Sequence, residues 1–419
     1  MTIAVIGVGF VGLVTAAVFA KFGNTVWAIN RDEKKSGDLK KGKLPFFEPG
    51  LEELVKDNVR AGRLHFTTDY SKAISPADVI MIAVGTPSAP DGTADLSAVF
   101  SAAQSAAPHL KKDAIIIIKS TVPPGTNDKV KEIIKKHTST NFHMASVPEF
   151  LREGTAVEDS LHPDRILIGA AEPSVVKRLL ELHRPLNGEI VIMKPESAQL
   201  TKYAANAYLA TRIVFINQIA DLAEKTGADV QEIIRGIGLD NRIGLHYWYP
   251  GPGYGGSCYP KDIKELAAYA GRVGEGDGLF EKIDRLNEAR LPKMLAKFET
   301  AVGGWQNKTI AVLGLSFKPN TDDTREAPSL KVIPILKAAG ASVKTYDPQV
   351  KNRTAADPYA AAADTDILMI LVEWDEFRSL DLTRIKKLMR SNPVFIDSRN
   401  LYNPETVKEK GFKYIGVGR

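Results

Sequence analysis

Ile3-Ala-Val-Ile-Gly-Val-Gly-Phe-Val-Gly12 opens the chain as a short apolar strand running straight into a glycine turn. An unbroken apolar run is expected of a strand covered on both faces. The alanine-rich segment from Leu13 to Phe22 then suits a helix packed on a sheet. Strand, G-x-G-x-x-G turn and helix, in that order, form a dinucleotide-binding fingerprint. Gly7 makes the tight turn, Gly9 lets the backbone approach a pyrophosphate, and Gly12 lets helix and strand pack closely. The helix N-terminus supplies N–H donors and partial positive charge to the phosphates.

The next strand, Thr25-Val-Trp-Ala-Ile29, is the one whose end carries the acidic partner of the ribose 2′-hydroxyl in NAD sites. Asn30 and Arg31 stand there instead, with Asp32 and Glu33 close behind. Asn30 removes the carboxylate that would repel a 2′-phosphate, and Arg31 can pair with one. Relaxed selectivity between NAD and NADP is expected, with NADP preference open. Val79-Ile-Met-Ile-Ala-Val84 ends at Gly85-Thr-Pro87, and Ala114-Ile-Ile-Ile-Ile-Lys119 ends at Ser120-Thr-Val-Pro-Pro-Gly125. Open α/β sheets bind ligands at the carboxyl ends of strands. Thr86, Ser120 and Thr121 are therefore candidates for cofactor contact or for ordering a catalytic water. Helix capping or turn formation is the competing role for each hydroxyl. Pro45 to Leu51 reads as a loop and helix start.

Composition bounds the alternatives. A chain of 419 residues has room for two or three domains. The net charge of +5 is spread along the chain, which suits a small anionic substrate and is no nucleic-acid footprint. A single cysteine excludes an internal disulfide and suits a reducing compartment, so a cytoplasmic protein is expected. The N-terminus enters a strand at once, without a secretory signal pattern, and no uncharged apolar run is long enough to span a bilayer.

That cysteine lies in Gly251-Pro-Gly-Tyr-Gly-Gly-Ser-Cys-Tyr-Pro-Lys-Asp262, where four glycines precede the thiol. Such a loop can turn several N–H groups toward a bound group or a developing oxyanion. Lys261 favours thiolate over a free thiol of pKa about 8.5. The alternative is an inert cysteine in a turn. Met144-Ala-Ser-Val-Pro-Glu-Phe-Leu-Arg-Glu-Gly154 places Glu149 and Glu153 four apart, on one face if the segment is helical. Two carboxylates beside a thiol can do general acid/base work, or can simply be solvated. From Ser197 to about Lys225 runs the longest helical pattern, apolar on most sides. It is expected to be buried, to cross the molecule and to help form a subunit interface. On it Lys202 and Asn206 lie one turn apart. A buried lysine needs a partner or a task. It acts as proton acceptor or oxyanion stabiliser beside Asn206, or it is structural and snorkels to water.

Leu279 to Thr300 reads as a further helix, after which Thr309-Ile-Ala-Val-Leu313 and Gly314 repeat the strand and glycine turn without the full motif. Helix Ser329 to Ala339 and strands Ser342 to Tyr346 and Ile367 to Val372 complete a second doubly wound domain. Lys318 and Arg325 stand where a phosphate-bearing ligand is expected. The fold class is thus α/β, with two Rossmann-like doubly wound domains joined by a long central helix. The expected divisions are a dinucleotide-binding domain over 1–196, a central helical dimerisation domain with the cysteine loop over 197–300, and a second Rossmann-like domain over 301–419. A cleft between two such domains is a common ligand site.

Together, Gly7-Val-Gly-Phe-Val-Gly12, Glu48-Pro-Gly-Leu51, Gly85-Thr-Pro87, Ser120-Thr-Val122, Pro148-Glu-Phe-Leu-Arg-Glu-Gly154, His162-Pro-Asp-Arg165, Lys202-Tyr-Ala-Ala-Asn206, Gly253-Tyr-Gly-Gly-Ser-Cys-Tyr-Pro-Lys-Asp262 and Phe317-Lys-Pro-Asn-Thr-Asp-Asp-Thr-Arg-Glu326 resemble the UDP-glucose/GDP-mannose dehydrogenase family over almost the whole chain. Within it they resemble the UDP-glucose branch. The resemblance implies four-electron oxidation of the sugar C6 alcohol to a carboxylate, with two nicotinamide cofactors used in succession. Lys202, Asn206 and a water held by Thr121 and Asp262 would support the alcohol-to-aldehyde step. The Cys258 thiolate would attack the aldehyde, and a second hydride transfer would leave a thioester. Water activated through Glu149 would hydrolyse it, with Lys202 and Asn206 stabilising oxyanions along the path.

The same resemblance implies cofactor contacts at Gly7, Gly9, Phe10, Val11, Gly12, Asn30, Arg31, Lys35, Gly85, Thr86, Pro87, Ser120, Thr121, Glu153, Lys261 and Arg325. It implies UDP-sugar contacts at Glu149, Phe150, Leu151, Arg152, Glu153, Lys202, Asn206, Tyr249, Gly253, Tyr254, Gly255, Phe317, Lys318 and Arg399, with Arg242 reaching over from a neighbouring subunit of a homodimer. No metal is implied. The sequence departs from the family pattern at Asn30, at Val147 before Pro-Glu and at Ser316 before Phe-Lys. Three alternatives stay open: a sibling acting on GDP-mannose or a UDP-N-acetylhexosamine, a two-electron β-hydroxyacid dehydrogenase that shares the Lys-x-x-x-Asn helix, and a non-catalytic nucleotide-binding protein.

Overall fold

The opening apolar run forms β1 (Thr2–Ile6), and its side chains alternate between two apolar layers. Ile3 and Val5 pack with Leu13, Val14 and Ala17 of the helix Phe10–Lys21. Ala4 and Ile6 pack with Val99, Ala102 and Ile118 on the other face. Cover on both faces is why the strand reads as continuous apolar sequence. The computed structural model describes residues 1–419. It divides into one unit of Met1–Ala205 with Lys264–Gly274 and a second of Asn206–Ile263 with Glu275–Arg419.

The first unit holds an eight-stranded sheet. Its further strands are β2 (Thr25–Ile29), β3 (Leu64–Thr67), β4 (Val79–Ile82), β5 (Ala114–Ile118), β6 (Phe142–Ser146), β7 (Arg165–Gly169) and β8 (Glu189–Met193), in the order β3-β2-β1-β4-β5-β6-β7-β8. Register at the centre pairs Ile3 with Val26 on one side and with Val79 on the other. The sheet is parallel except where β6 and β7 meet antiparallel at the single pair Ser146 and Gly169.

The second unit carries a five-stranded parallel sheet of β9 (Thr309–Leu313), β10 (Ser342–Tyr346), β11 (Ile367–Ile370), β12 (Val394–Asp397) and β13 (Lys413–Ile415), ordered β10-β9-β11-β12-β13. Its core joins Val312 and Met369 to Ile216 and Ala220 of the long helix and to Leu295 and Phe298 of the helix Leu279–Val302. Both units are thus Rossmann-like, as expected. No helix is long and apolar enough to cross a membrane.

Two expectations need correction. The segment from Val147 to Thr155 is not helical, so Glu149 and Glu153 do not share a helix face. Pro148 and the turn at Gly154 interrupt it; Gly154 takes φ +85°, where glycine is the favoured residue. The long helix spans Pro195–Thr226, two residues earlier than its Ser197 start, because proline fits the first helical position. It is not buried all round: Leu200, Tyr208, Phe215 and Leu222 are exposed.

Candidate active site

At the carboxyl end of β1 the glycines do what their spacing requires. A Cβ on Gly12 would lie 1.9 Å from the Gly7 carbonyl oxygen, and one on Gly7, at φ +102°, 2.7 Å from that of Ala83. Nothing lies within 4 Å of a Cβ built on Gly9, which leaves its backbone open to a ligand. The helix Phe10–Lys21 starts after Gly9 with no side-chain cap. The first-turn N–H groups of Phe10, Val11 and Gly12 therefore lack intrahelical partners. Beyond β2, Asn30 Nδ2 donates to the Asp32 carbonyl at 3.2 Å, and the Asp32 carboxylate accepts from Lys35 N–H at 3.0 Å as the cap of the helix Glu33–Lys40. Asp32 is thus occupied as a cap, while Arg31 is exposed beside it.

The hydroxyls at the next strand ends brace the loops. Thr86 donates to the Thr121 carbonyl at 2.9 Å, and Ser120 to the Val84 carbonyl at 2.7 Å. The Pro87 carbonyl accepts from Asp95 N–H at 2.8 Å. The Thr86 and Ser120 bonds tie the segment after β4, which includes Gly85, to the segment after β5. The Thr121 side chain is half-buried at that junction.

After β6 the chain presents its buried acid. Lys202 Nζ donates to Glu149 Oε1 at 3.1 Å, and Leu151 N–H donates to Glu149 Oε2 at 2.5 Å. Both side chains of the pair are buried. Burial opposes the charge on Glu149, but Lys202, the Leu151 N–H and Lys119 outweigh it and hold the carboxyl below its usual range. Burial drives the Lys119 ammonium the other way, down to about 8 against the pull of Glu149 and with help from Lys202. The Phe150 ring lies under two cations, with Arg165 at 3.8 Å and Lys202 at 5.1 Å from its centroid. Arg152 is exposed and forked onto Asp159, and Glu153 is half-buried in the turn. The segment is fixed from a distance: buried Glu48 accepts from Gly154 N–H and Ala156 N–H, both at 2.7 Å.

In the second unit, Cys258 immediately precedes the helix Tyr259–Arg272, and its carbonyl accepts from Asp262 N–H at 3.0 Å. The thiol therefore sits at the N-cap, where the helix dipole favours an anion. Pro260 is tolerated in the first turn. Asp262, within that turn, accepts from Asn206 Nδ2 at 2.6 Å and is also ion-paired with Lys261. Asn206 and Asp262 are both buried. The glycine loop is clamped on its polypeptide backbone. Gly251 N–H donates to Asn217 Oδ1 at 2.9 Å, and Arg290 Nε donates to the Gly251 carbonyl at 2.8 Å. Asn287 grips Tyr254 through both its N–H and its carbonyl, at 2.9 and 3.1 Å. A Cβ on Gly253 would meet Asn287, one on Gly255 the Glu326 carbonyl, and one on Gly256 the Phe317 ring.

The structure thereby brings the cysteine loop together with the Phe317–Arg325 loop. Lys318 Nζ lies 5.6 Å from the Phe317 ring centroid, and Arg325 is forked onto Asp323. Arg399 is half-buried against the Leu371 carbonyl at 2.9 Å and Glu373 at 3.0 Å. Tyr249 is exposed and packs on Tyr247 with ring centroids 5.5 Å apart. Arg242 is exposed and paired with Asp240.

The comparisons with known proteins follow this division. The NAD binding domain of the UDP-glucose/GDP-mannose dehydrogenase family matches residues 1–187, its central domain residues 196–289 and its UDP binding domain residues 311–404. The chain belongs to that family. Its first unit accordingly takes NAD. A UDP-glucose 6-dehydrogenase of Rhizobium meliloti is 46% identical across the whole of both chains. One of Pseudomonas aeruginosa is 42% identical over all of this chain and 98% of its own. Among solved structures, a UDP-glucose dehydrogenase of Pyrobaculum islandicum superposes with TM-score 0.90 at 34% identity, over 99% of this chain and 97% of its own. A UDP-D-ManNAc dehydrogenase of Pyrococcus horikoshii gives TM-score 0.90 at 30% identity, over 100% and 99%.

Sequence reasoning missed Lys119, Glu48, Asn217, Asn287 and Arg290. Only Glu48 carried a signal, as a carboxylate inside a Pro-Phe-Phe-Glu-Pro loop.

Proposed function

We propose that the chain oxidises C6 of UDP-glucose to the carboxylate, reducing two nicotinamide cofactors through a Cys258 thioester. The observation that carries the reading is a pair of buried contacts one turn apart on a single helix, Lys202 with Glu149 and Asn206 with Asp262, together with Cys258 at the cap of the helix that bears Asp262. Lys202 and Asn206 donate to the alkoxide and tetrahedral oxyanions, and a water held by Thr121 and Asp262 takes the hydroxyl proton in the first step. Hydride leaves C6, and Cys258 traps the aldehyde as a thiohemiacetal. A second hydride departs to a fresh cofactor, leaving the thioester that water, deprotonated by Glu149, hydrolyses.

In this reading the uncapped turn at Phe10, Val11 and Gly12 would hold the pyrophosphate of the cofactor, with Lys35, Thr86, Glu153, Lys261 and Arg325 as further contacts. Phe150 to Arg152, Tyr249, Tyr254, Phe317, Lys318 and Arg399 hold the UDP-sugar. The partition into 1–196, 197–300 and 301–419 goes with these roles, as do a homodimer built on the long helix, with Arg242 supplied across it, and a cytoplasmic location. NADP serves as well as NAD, because Asn30 bears no carboxylate and Asp32 is spent as a cap; the ratio of kcat/KM for the two cofactors tests this, and an NAD preference above about a hundredfold, some 2.7 kcal/mol, would overturn it.

The test of the whole reading is stoichiometry. Absorbance at 340 nm should report two reduced cofactors per UDP-glucose, and Cys258→Ser should bind the sugar nucleotide yet form no uronic acid. One cofactor per sugar would point instead to a two-electron dehydrogenase. The Pyrococcus horikoshii likeness gives a UDP-N-acetylhexosamine as the second substrate to assay. Faster turnover of it would move the chain to the sibling activity.

A further inference from the structure

Glu149 is reached from one side by Lys202, but it also lines a cavity of about 220 Å³ that lies wholly within the first unit. The helices Phe10–Lys21, Ala156–Leu161 and Pro173–His183 wall it, together with the segments after β5 and β6. Its inner lining is Lys119, Glu149 and His183, and its outer lining includes Glu158, His162 and Asp164. The outer side chains are 73%, 65% and 94% exposed. The cavity therefore runs from bulk solvent to the proposed base. A water molecule needs about 10–15 Å³ of such space and two to four polar partners. Room and partners are both present.

We infer that this cavity, whose lining also includes Phe150, Leu151 and Arg152, is a water and proton route to Glu149. The inference rests on the thioester reading above. Hydrolysis of that thioester consumes one water: its oxygen bonds to the acyl carbon, the C–S bond breaks, and the products are the sugar carboxylate, the Cys258 thiolate and two protons. No oxidant or further reactant is needed. At that stage the sugar and the cofactor cover the reacting carbon, so a water arriving from behind the carboxylate avoids waiting for product to leave.

The inner lining suits the task. Glu149 is held ionised and so can take a proton from water. Lys119, near pKa 8, can pass a proton along at neutral pH. His183 donates from Nδ1 to the Leu179 carbonyl at 2.8 Å, and burial holds the ring neutral, near 4, which leaves its other nitrogen as an acceptor.

Ser160, half-buried in the outer half of the lining, gives the handle. Ser160→Leu narrows the passage, Ser160→Ala controls for loss of the hydroxyl, and Thr15→Val dries a buried wall at constant shape. Rapid-quench single turnovers with mass analysis of the Cys258 adduct separate the steps. Ser160→Leu should slow decay of the acyl adduct by about tenfold or more while both hydride transfers stay within about twofold. Thr15→Val should act in the same direction, and Ser160→Ala should match the native protein. Unchanged adduct decay in both Ser160→Leu and Thr15→Val overturns the route, as does equal slowing of every step. A native enzyme that forms no adduct and reduces one cofactor per sugar overturns the thioester reading itself, whatever the variants do.

Discussion

Bringing an ammonium and a carboxylate out of water costs several kcal/mol per ion before they attract each other. Lys202 and Glu149 bear that cost in a contact of 3.1 Å, and Glu149 gains a further donor from Leu151. A pair arranged only for stability has cheaper apolar substitutes, so chemistry is the better account of its presence. Lys202→Ala should lower kcat by about a hundredfold or more with KM changed only a few-fold; steady-state kinetics decide, and an effect confined to KM removes Lys202 from the reaction. His183 makes a second prediction at this scale. Its folded pKa, near 4, lies below the ordinary histidine value of 6.5, so the unfolded chain binds the extra proton first as pH falls. Its contribution to stability is complete above pH 6.5 and is lost on the way down to about pH 4. Replacing His183 by Phe should flatten the fall in Tm across that window, and an unchanged slope would assign the acid lability elsewhere. The residues themselves were legible where chemistry needs a rare type in a rare place, as with the sole cysteine and a lysine inside an apolar helix. Lys119 was hidden because it reads as the polar end of a strand, and only tertiary packing sets it beside Glu149.

The elements were legible unevenly. β2, β9 and β10 coincide with their expected bounds. β3, β8, β12 and β13 were not seen in advance. β8 carries the apolar run Ile190 to Met193 but has mostly exposed residues at the edge of its sheet, while β13 is only 3 residues long. The loops were harder still, because their restraints come from far along the chain. Glu48 is 106 residues from Gly154, and Asn287 is 33 from Tyr254. No local pattern announces contacts of that kind. Glu48 satisfies two N–H groups at the start of the helix Ala156–Leu161, a capping task done from outside the helix. Glu48→Ala should cost about 1–3 kcal/mol. It should also raise KM for the sugar nucleotide, since Phe150 to Arg152 lie in the segment it fixes. Thermal unfolding alongside kinetics checks both, and a loss of stability with KM unchanged would separate the cap from the site.

For the molecule as a whole, doubly wound architecture in two units followed from two strand-and-glycine repeats. The eight-stranded extent of the first sheet and its one antiparallel join did not. Leu200, Tyr208, Phe215 and Leu222 lie at spacings close to seven along one helix and are exposed, a stripe of the type that helices bury against each other. Phe215→Glu should convert the proposed dimer to monomer in sedimentation at micromolar concentration. A native protein that is already monomeric would withdraw the interface.

The chain passes from one unit to the other three times, after Ala205, after Ile263 and after Gly274. The first crossing falls inside a continuous helix, between the turn bearing Lys202 and the turn bearing Asn206. No single scission can therefore yield two self-sufficient fragments. A shuffled gene that joined the front half of one relative to the back half of another would have to splice a helix in mid-turn and still return a short strip of polypeptide to its first home. Inheritance of the two halves is coupled by that thread, and exchange of nucleotide or sugar preference should proceed by point substitution more readily than by recombination.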